Sequence, residues 1–137
     1  MSYRTALAVI WTALLLTACW LPSHRLPDGE IPRSFSHVPH ADKIVHAGLF
    51  GVFVVAWMRA LTAGRRRTGI ALAGIALAIT TELVQGIPAI HRDPSVLDAM
   101  ADAVGIAAGL GFYALWEGWA IRLTALAGPA PLPTKGG

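Results

Sequence analysis

Polar and charged side chains gather at the margins of three long apolar runs in this chain: Asp42, Lys43 and His46; Glu82 and Gln85; Arg92, Ser95, Asp98 and Asp102. Carboxylates beside a histidine are the material of general acid–base chemistry, and grouped carboxylates can hold a divalent cation. Lysine, arginine and histidine are the groups that meet a phosphate, with acids to orient them. The candidates for catalysis are His46, Glu82, Asp98 and Asp102. Those for ligand binding are Asp42, Lys43, His46, Glu82, Gln85, Arg92 and Ser95. No Gly-rich phosphate loop or dinucleotide fingerprint accompanies them. The histidines at 24, 37, 40, 46 and 91 match no compact zinc spacing, so no metal site is assigned.

The elements that must position these groups follow from composition. Of 137 residues, 55% are hydrophobic and 14% charged, with a mean hydropathy of +0.56, too apolar for a water-soluble domain of this size. The bilayer is the expected solvent. Crossing its hydrocarbon core takes about 17–25 apolar residues. Four runs qualify, near 4–22, 44–62, 69–87 and 96–117. The expectation is an all-α, polytopic bundle of four transmembrane helices in a single domain, 1–137. Residues 23–43 form an outer loop, and the Pro- and Gly-rich tail 124–137 is flexible.

Basic residues set the orientation, because loops rich in Lys and Arg stay in the cytoplasm. With both termini inside, Arg4, Arg59, Arg65, Arg66, Arg67, Arg122 and Lys135 lie inward, and Arg25, Arg33, Lys43 and Arg92 outward. All acids but Glu117 fall toward the outer side. The net charge of +3 is then a topology signal rather than a nucleic-acid footprint, since no aromatic residues interleave with the basic run.

Helical spacing sorts the polar groups into faces. Asp98, Asp102, Gly105 and Gly109 share one side of the fourth helix, which should point into the bundle. Ala101, Gly105 and Gly109 make a small-x-x-x-small ladder, with Gly48 and Gly51 on the second helix and Gly74 on the third as counterparts. Several residues have structural alternatives. Asp42 reads as a helix N-cap after Pro39, and "SVLD" reads as a capping box with Asp93 before Pro94 as its rival. His46 reads as an interior histidine, and Phe50, Phe53 and Trp57 as a packing stripe. Glu82 and Asp102 lie too far inside their helices to be caps. A carboxylate at mid-membrane costs about 2.5–3.5 kcal/mol on insertion scales, so each needs a partner. His46, Lys43 and Arg92 are the cations available, around a polar pocket open to the outer surface.

"DKIVHAGLFG", "ELVQ" and "RDPSVLDAMADAVGIAAG" stand in order on consecutive helices. They resemble the D-K-x-x-H, E-x-x-Q and R-x-x-S-x-x-D-x-x-x-N-x-x-G-x-x-x-G patterns of the VanZ-like family of small bacterial membrane proteins, over about residues 8–117. The chain departs at Asp102, where the family usually has Asn, so an amide role does not carry over unaltered. The resemblance implies a multi-pass protein of the bacterial plasma membrane. The family's name derives from a member linked to teicoplanin resistance, which does not transfer on membership alone.

Two functions from different classes follow. The first is a cell-envelope accessory or binding protein whose outer pocket engages a lipid-linked or phosphate-bearing component through Arg92, Lys43 and His46. The second is an intramembrane enzyme, of hydrolase or phosphotransfer type, in which acids hold a divalent cation and His46 is the general acid or base. Ion-coupled transport ranks below both, because four helices show no inverted repeat. A further alternative rests on Cys19, the single cysteine, in "LLLTAC": a lipoprotein signal cleaved there would remove the first helix. The resemblance includes that helix and favours its retention.

Overall fold

In a computed structural model, residues 1–20, 41–61, 66–88 and 95–126 are described. They form α1 (Tyr3–Trp20), α2 (Ala41–Ala60), α3 (Arg66–Gln85) and α4 (Val96–Leu126), with no strand among them. All four helices are long and apolar enough to cross a membrane, and the chain is an all-α, multi-pass membrane protein. Their outer surfaces carry Leu14, Ile44, Leu72, Leu83, Leu97 and Phe112, all exposed. In water such a belt would be a large unfavourable apolar patch, whereas acyl chains solvate it.

Boundaries differ from expectation at three places. α3 begins at Arg66 rather than near 69. α2 begins at Ala41, so Asp42 and Lys43 belong to its first turn rather than to a loop ending at residue 43. α4 continues to Leu126, so residues 124–126 are helix and not tail. At 1.5 Å per residue its 31 residues span about 46 Å, more than a hydrocarbon core of about 30 Å. The rest of the expected loop and tail, through residue 40 and from 127, lies outside the described residues.

The short link between α2 and α3 makes them antiparallel neighbours, and α2 and α4 then run parallel. These two pack most closely. A Cβ built on Gly105 would run into the backbone of Ala47. One built on Gly109 would stand 2.7 Å from the carbonyl oxygen of Gly51. Two small-x-x-x-small ladders, Ala47/Gly51 and Gly105/Gly109, thus face each other at constant register. Where lipid supplies no hydrophobic drive between helices, such close backbone contact supplies van der Waals attraction instead. Gly48, expected in this ladder, is exposed with open space around it. One residue along a helix turns the chain about 100°, which carries Gly48 out to lipid and leaves Ala47 at the contact. Ala101 is only half-buried; the buried face of α4 runs through Asp102, Gly105, Ile106 and Gly109.

Gly74 on α3 admits the side chain of Ile106, whose Cδ1 would lie 3.1 Å from an added Cβ. Phe50 and Phe53 are buried and tilted against each other at 6.5 Å, and Trp57 packs on the same core, as the stripe predicted. α1 is tied in by polar contacts. Trp11 donates its indole N–H to the carbonyl of Leu49 at 3.0 Å, and Trp57 donates to Thr12 Oγ1 at 3.0 Å.

Gly105→Ala is expected to lower the thermal stability of the detergent-solubilised protein by about 1–3 kcal/mol, the usual cost of overpacking, while Gly48→Ala leaves it unchanged. Equal melting temperatures for the two variants would contradict the parallel α2–α4 contact.

Candidate functional site

Four backbone positions decide what faces what at the polar end of the bundle. The contact that opposes Gly105 to Ala47 also sets Asp102 against His46 and Asp98 against Lys43, about one and two turns before Gly105 along α4. His46 Nδ1 lies 3.0 Å from Asp102 Oδ1, and Asp102 is fully buried about 9 Å from the start of its helix. With the carboxylate ionised it only accepts, so a proton sits on Nδ1, and in the neutral imidazole Nε2 keeps its lone pair. Among the described residues Nε2 makes no hydrogen bond, and Asp102 Oδ2 is buried without a partner. The acid therefore holds the imidazole from one side, as a general base requires, and keeps one oxygen unspent.

Lys43 bridges two carboxylates, with Nζ at 2.7 Å from Asp42 and 2.8 Å from Asp98. Asp42 is thus an ion-pair partner on the first turn. The ammonium expected to meet a phosphate is engaged by acids of its own chain. Glu82 is close enough to Asp98, Asp102 and His46 to feel their charges. Among the described residues its direct partner is a backbone amide rather than a cation: Ser95 N–H donates to Glu82 Oε2 at 2.8 Å. Glu82 Oε1 is buried and unpartnered among the described residues.

Ser95 caps α4, its hydroxyl accepting from Asp98 N–H at 3.3 Å. The capping box is split, however. In the usual motif the acid three residues on returns to the cap's own N–H. Here Glu82 takes that N–H from α3, which releases the Asp98 carboxylate to pair with Lys43 across to α2. Gln85, one turn past Glu82 and buried, donates Nε2–H to the carbonyl of Cys19 at 3.1 Å. It closes the end of α1.

The E-x-x-Q pair has a physical logic that its spacing alone does not disclose. Helix starts leave N–H groups unpaired and helix ends leave C=O groups unpaired. A carboxylate can only accept and suits the start of α4. An amide can donate and suits the end of α1. The contacts of Cys19 were missed in the sequence because a backbone carbonyl has no residue signature; a donor amide placed beside an acceptor acid at a helix end was the available signal.

Arg92 lies outside the described residues, as do His24, His37, His40 and His91. Among the described residues, no three of the His, Cys, Asp and Glu side chains come together as a metal-ligand set. The described site holds four acids, Asp42, Glu82, Asp98 and Asp102, against Lys43 and His46. It is acceptor-rich, and two of its acceptors are buried and unspent. Such atoms call for a hydrogen-bond donor.

No protein-family model matches this chain, and no curated protein or solved structure matches it either.

Glu82→Gln keeps an oxygen for Ser95 N–H, whereas Glu82→Leu strands that amide. The leucine variant is expected to be less stable than the glutamine variant by about 1–3 kcal/mol, read by thermal unfolding in detergent. Equal stability would remove Glu82 as the tie between α3 and α4.

Proposed function

We propose that the chain is a VanZ-like protein of the bacterial plasma membrane, with both termini cytoplasmic and its His46–Asp102 end outward. Its function is to bind a lipid-linked component of the cell envelope as an accessory protein. The observation that carries this reading is the pair of buried, unpartnered acceptors, Asp102 Oδ2 and Glu82 Oε1, on neighbouring helices beside His46. Solitary acceptors at membrane depth are costly unless a donor reaches them. Hydroxyl or amino groups of a lipid-borne sugar or peptide are donors of the right kind. The phosphate that joins such a group to its lipid falls to Arg92, since Lys43 is held by Asp42 and Asp98.

A second reading is an intramembrane enzyme of hydrolase or phosphotransfer type, and the His46–Asp102 geometry favours it. Nδ1 is anchored by a buried carboxylate, and Nε2 is left to take or give a proton. Asn, the usual family residue in place of Asp102, could accept the same N–H but could not stabilise an imidazolium. The acid therefore gives His46 a charged partner that the family's Asn does not.

The lipoprotein alternative is disfavoured by the way α1 is built in. Cleavage before Cys19 would remove Leu15, Trp11 and Thr12, which fill the core or carry the bonds to α2. An intact mass that includes residues 1–18 is the expected result, and a mature chain beginning at a diacylated Cys19 would overturn it.

The test of function is to identify by mass spectrometry the lipids and glycolipids that co-purify with wild type, Glu82→Gln and Asp102→Asn. An envelope precursor enriched in wild type and lost from both variants, at unchanged membrane accumulation, is the expected outcome. Identical lipid profiles, or variants that fail only by not accumulating, would leave the polar end a purely structural network. Turnover of the captured lipid that disappears in His46→Ala would select the enzyme.

A further inference from the structure

The opposite end of the bundle carries a second arrangement that the polar site does not use. Arg4 from α1, Arg59 from α2 and Arg66 from α3 line one cavity of about 490 Å³, together with the hydroxyls of Ser2, Tyr3 and Tyr113. Among the described residues no acid lines it. Glu117, the acid that the described residues place at this end, is engaged by Arg66 and, at 2.6 Å, by Arg67. Arg66 is further held over the ring of Tyr113 at 5.3 Å and donates to the carbonyl of Leu61 at 3.1 Å. Arg4 donates to the hydroxyl of Tyr3, and Arg59 is exposed with no ion-pair partner among the described residues. Two arginines thus converge on this cavity with their charge unspent.

The cavity continues into an apolar groove. Leu61 and Arg66 line both it and a neighbouring space of about 390 Å³ between α2 and α3. From Arg66 the groove runs along Ile70, Ala73 and Leu77 on one wall, about 16 Å at helical rise, with Phe53 and Trp57 on the other. It is open sideways to the acyl region, and Ala73 on its edge is exposed. The depth is right as well: Tyr3, Tyr113, Trp116 and Trp119 lie at this end, the last two tilted against each other at 5.8 Å, and such aromatics belong to the headgroup layer.

We propose that this composite cavity is a binding site for an anionic phospholipid. Its phosphate sits between Arg4 and Arg59, and one acyl chain passes Arg66 into the Phe53–Leu77 groove. Arginine supplies the planar, multiply donating group that phosphate accepts, and the hydroxyls of Tyr3 and Ser2 add neutral donors. A zwitterionic lipid would fit the groove but bring its own cation toward the arginines. The bound lipid would brace the start of α1 against α2 and α3, far from the His46–Asp102 pair, so this site is independent of the function proposed for that end.

Native mass spectrometry of the full-length protein in detergent, with phosphatidylglycerol or phosphatidylcholine added, tests the assignment. Wild type should retain phosphatidylglycerol about fivefold more than phosphatidylcholine, and Arg59→Gln should lower that ratio by about the same factor. Arg59 is exposed, so the substitution leaves the buried core intact, and a second variant leaves charge untouched: Ala73→Trp fills the groove and should reduce retention of both lipids. Equal retention of the two lipids by wild type would overturn the proposal, as would an unchanged ratio in Arg59→Gln. Binding that excess inorganic phosphate abolishes and that Ala73→Trp does not affect would assign the arginines to a free anion and overturn the lipid.

Discussion

The backbones of α2 and α4 touch, and most of what is particular to this molecule depends on that contact. Ala47 and Gly51 meet Gly105 and Gly109 where any larger side chain would force the helices apart. Because the two helices are parallel, the same faces stay opposed beyond the glycines, and the polar side chains close the remaining offset. This brings His46 to Asp102 at 3.0 Å and Lys43 to Asp98 at 2.8 Å. A buried carboxylate in a membrane helix is stable only if its partner arrives within hydrogen-bond distance. The glycine ladder is therefore the reason the acid is tolerated, even though no glycine lies at the site.

The third helix serves the same end by different chemistry. Glu82 and Gln85 are separated by a single turn, yet one accepts from the start of α4 and the other donates to the end of α1. Both are helix ends, whose unpaired backbone groups are expensive wherever water does not reach them. Placing an acceptor and a donor on one helix satisfies two neighbours at once. It also frees Asp98 from the capping role its spacing from Ser95 implies, and so allows the cross-helix ion pair with Lys43. What looks like one polar cluster is thus a mixture of clasps, namely Glu82 Oε2, Gln85 and Ser95, and unspent groups, namely Asp102 Oδ2 and Glu82 Oε1.

The two ends of the bundle are electrostatic opposites. Acids outnumber bases among the described groups around His46, while arginines gather at the start of α1, the end of α2 and the start of α3, with Glu117 as their counterion. Such asymmetry is what the insertion machinery reads as orientation. It also gives each end a different appetite: donors at one, anions at the other. The proposed envelope ligand and the proposed phospholipid follow from this division and do not compete for the same residues.

The sequence by itself determined the solvent, the helix count and the polar face of α4, because hydropathy over about twenty residues and helical spacing are local properties. It also named most of the residues that meet at the polar end: Asp42, Lys43, His46, Glu82, Ser95, Asp98 and Asp102. Pairings were decided only by tertiary structure. Nothing local distinguishes Ala47 from Gly48 as the contact residue, since the choice depends on a rotation of α2 that its neighbours impose. Likewise, Glu82 takes a backbone N–H and Gln85 a backbone C=O, groups that every residue carries and that no motif can mark. Which helix ends lie beside α3 is a matter of packing, and packing is where these two side chains acquired their separate tasks.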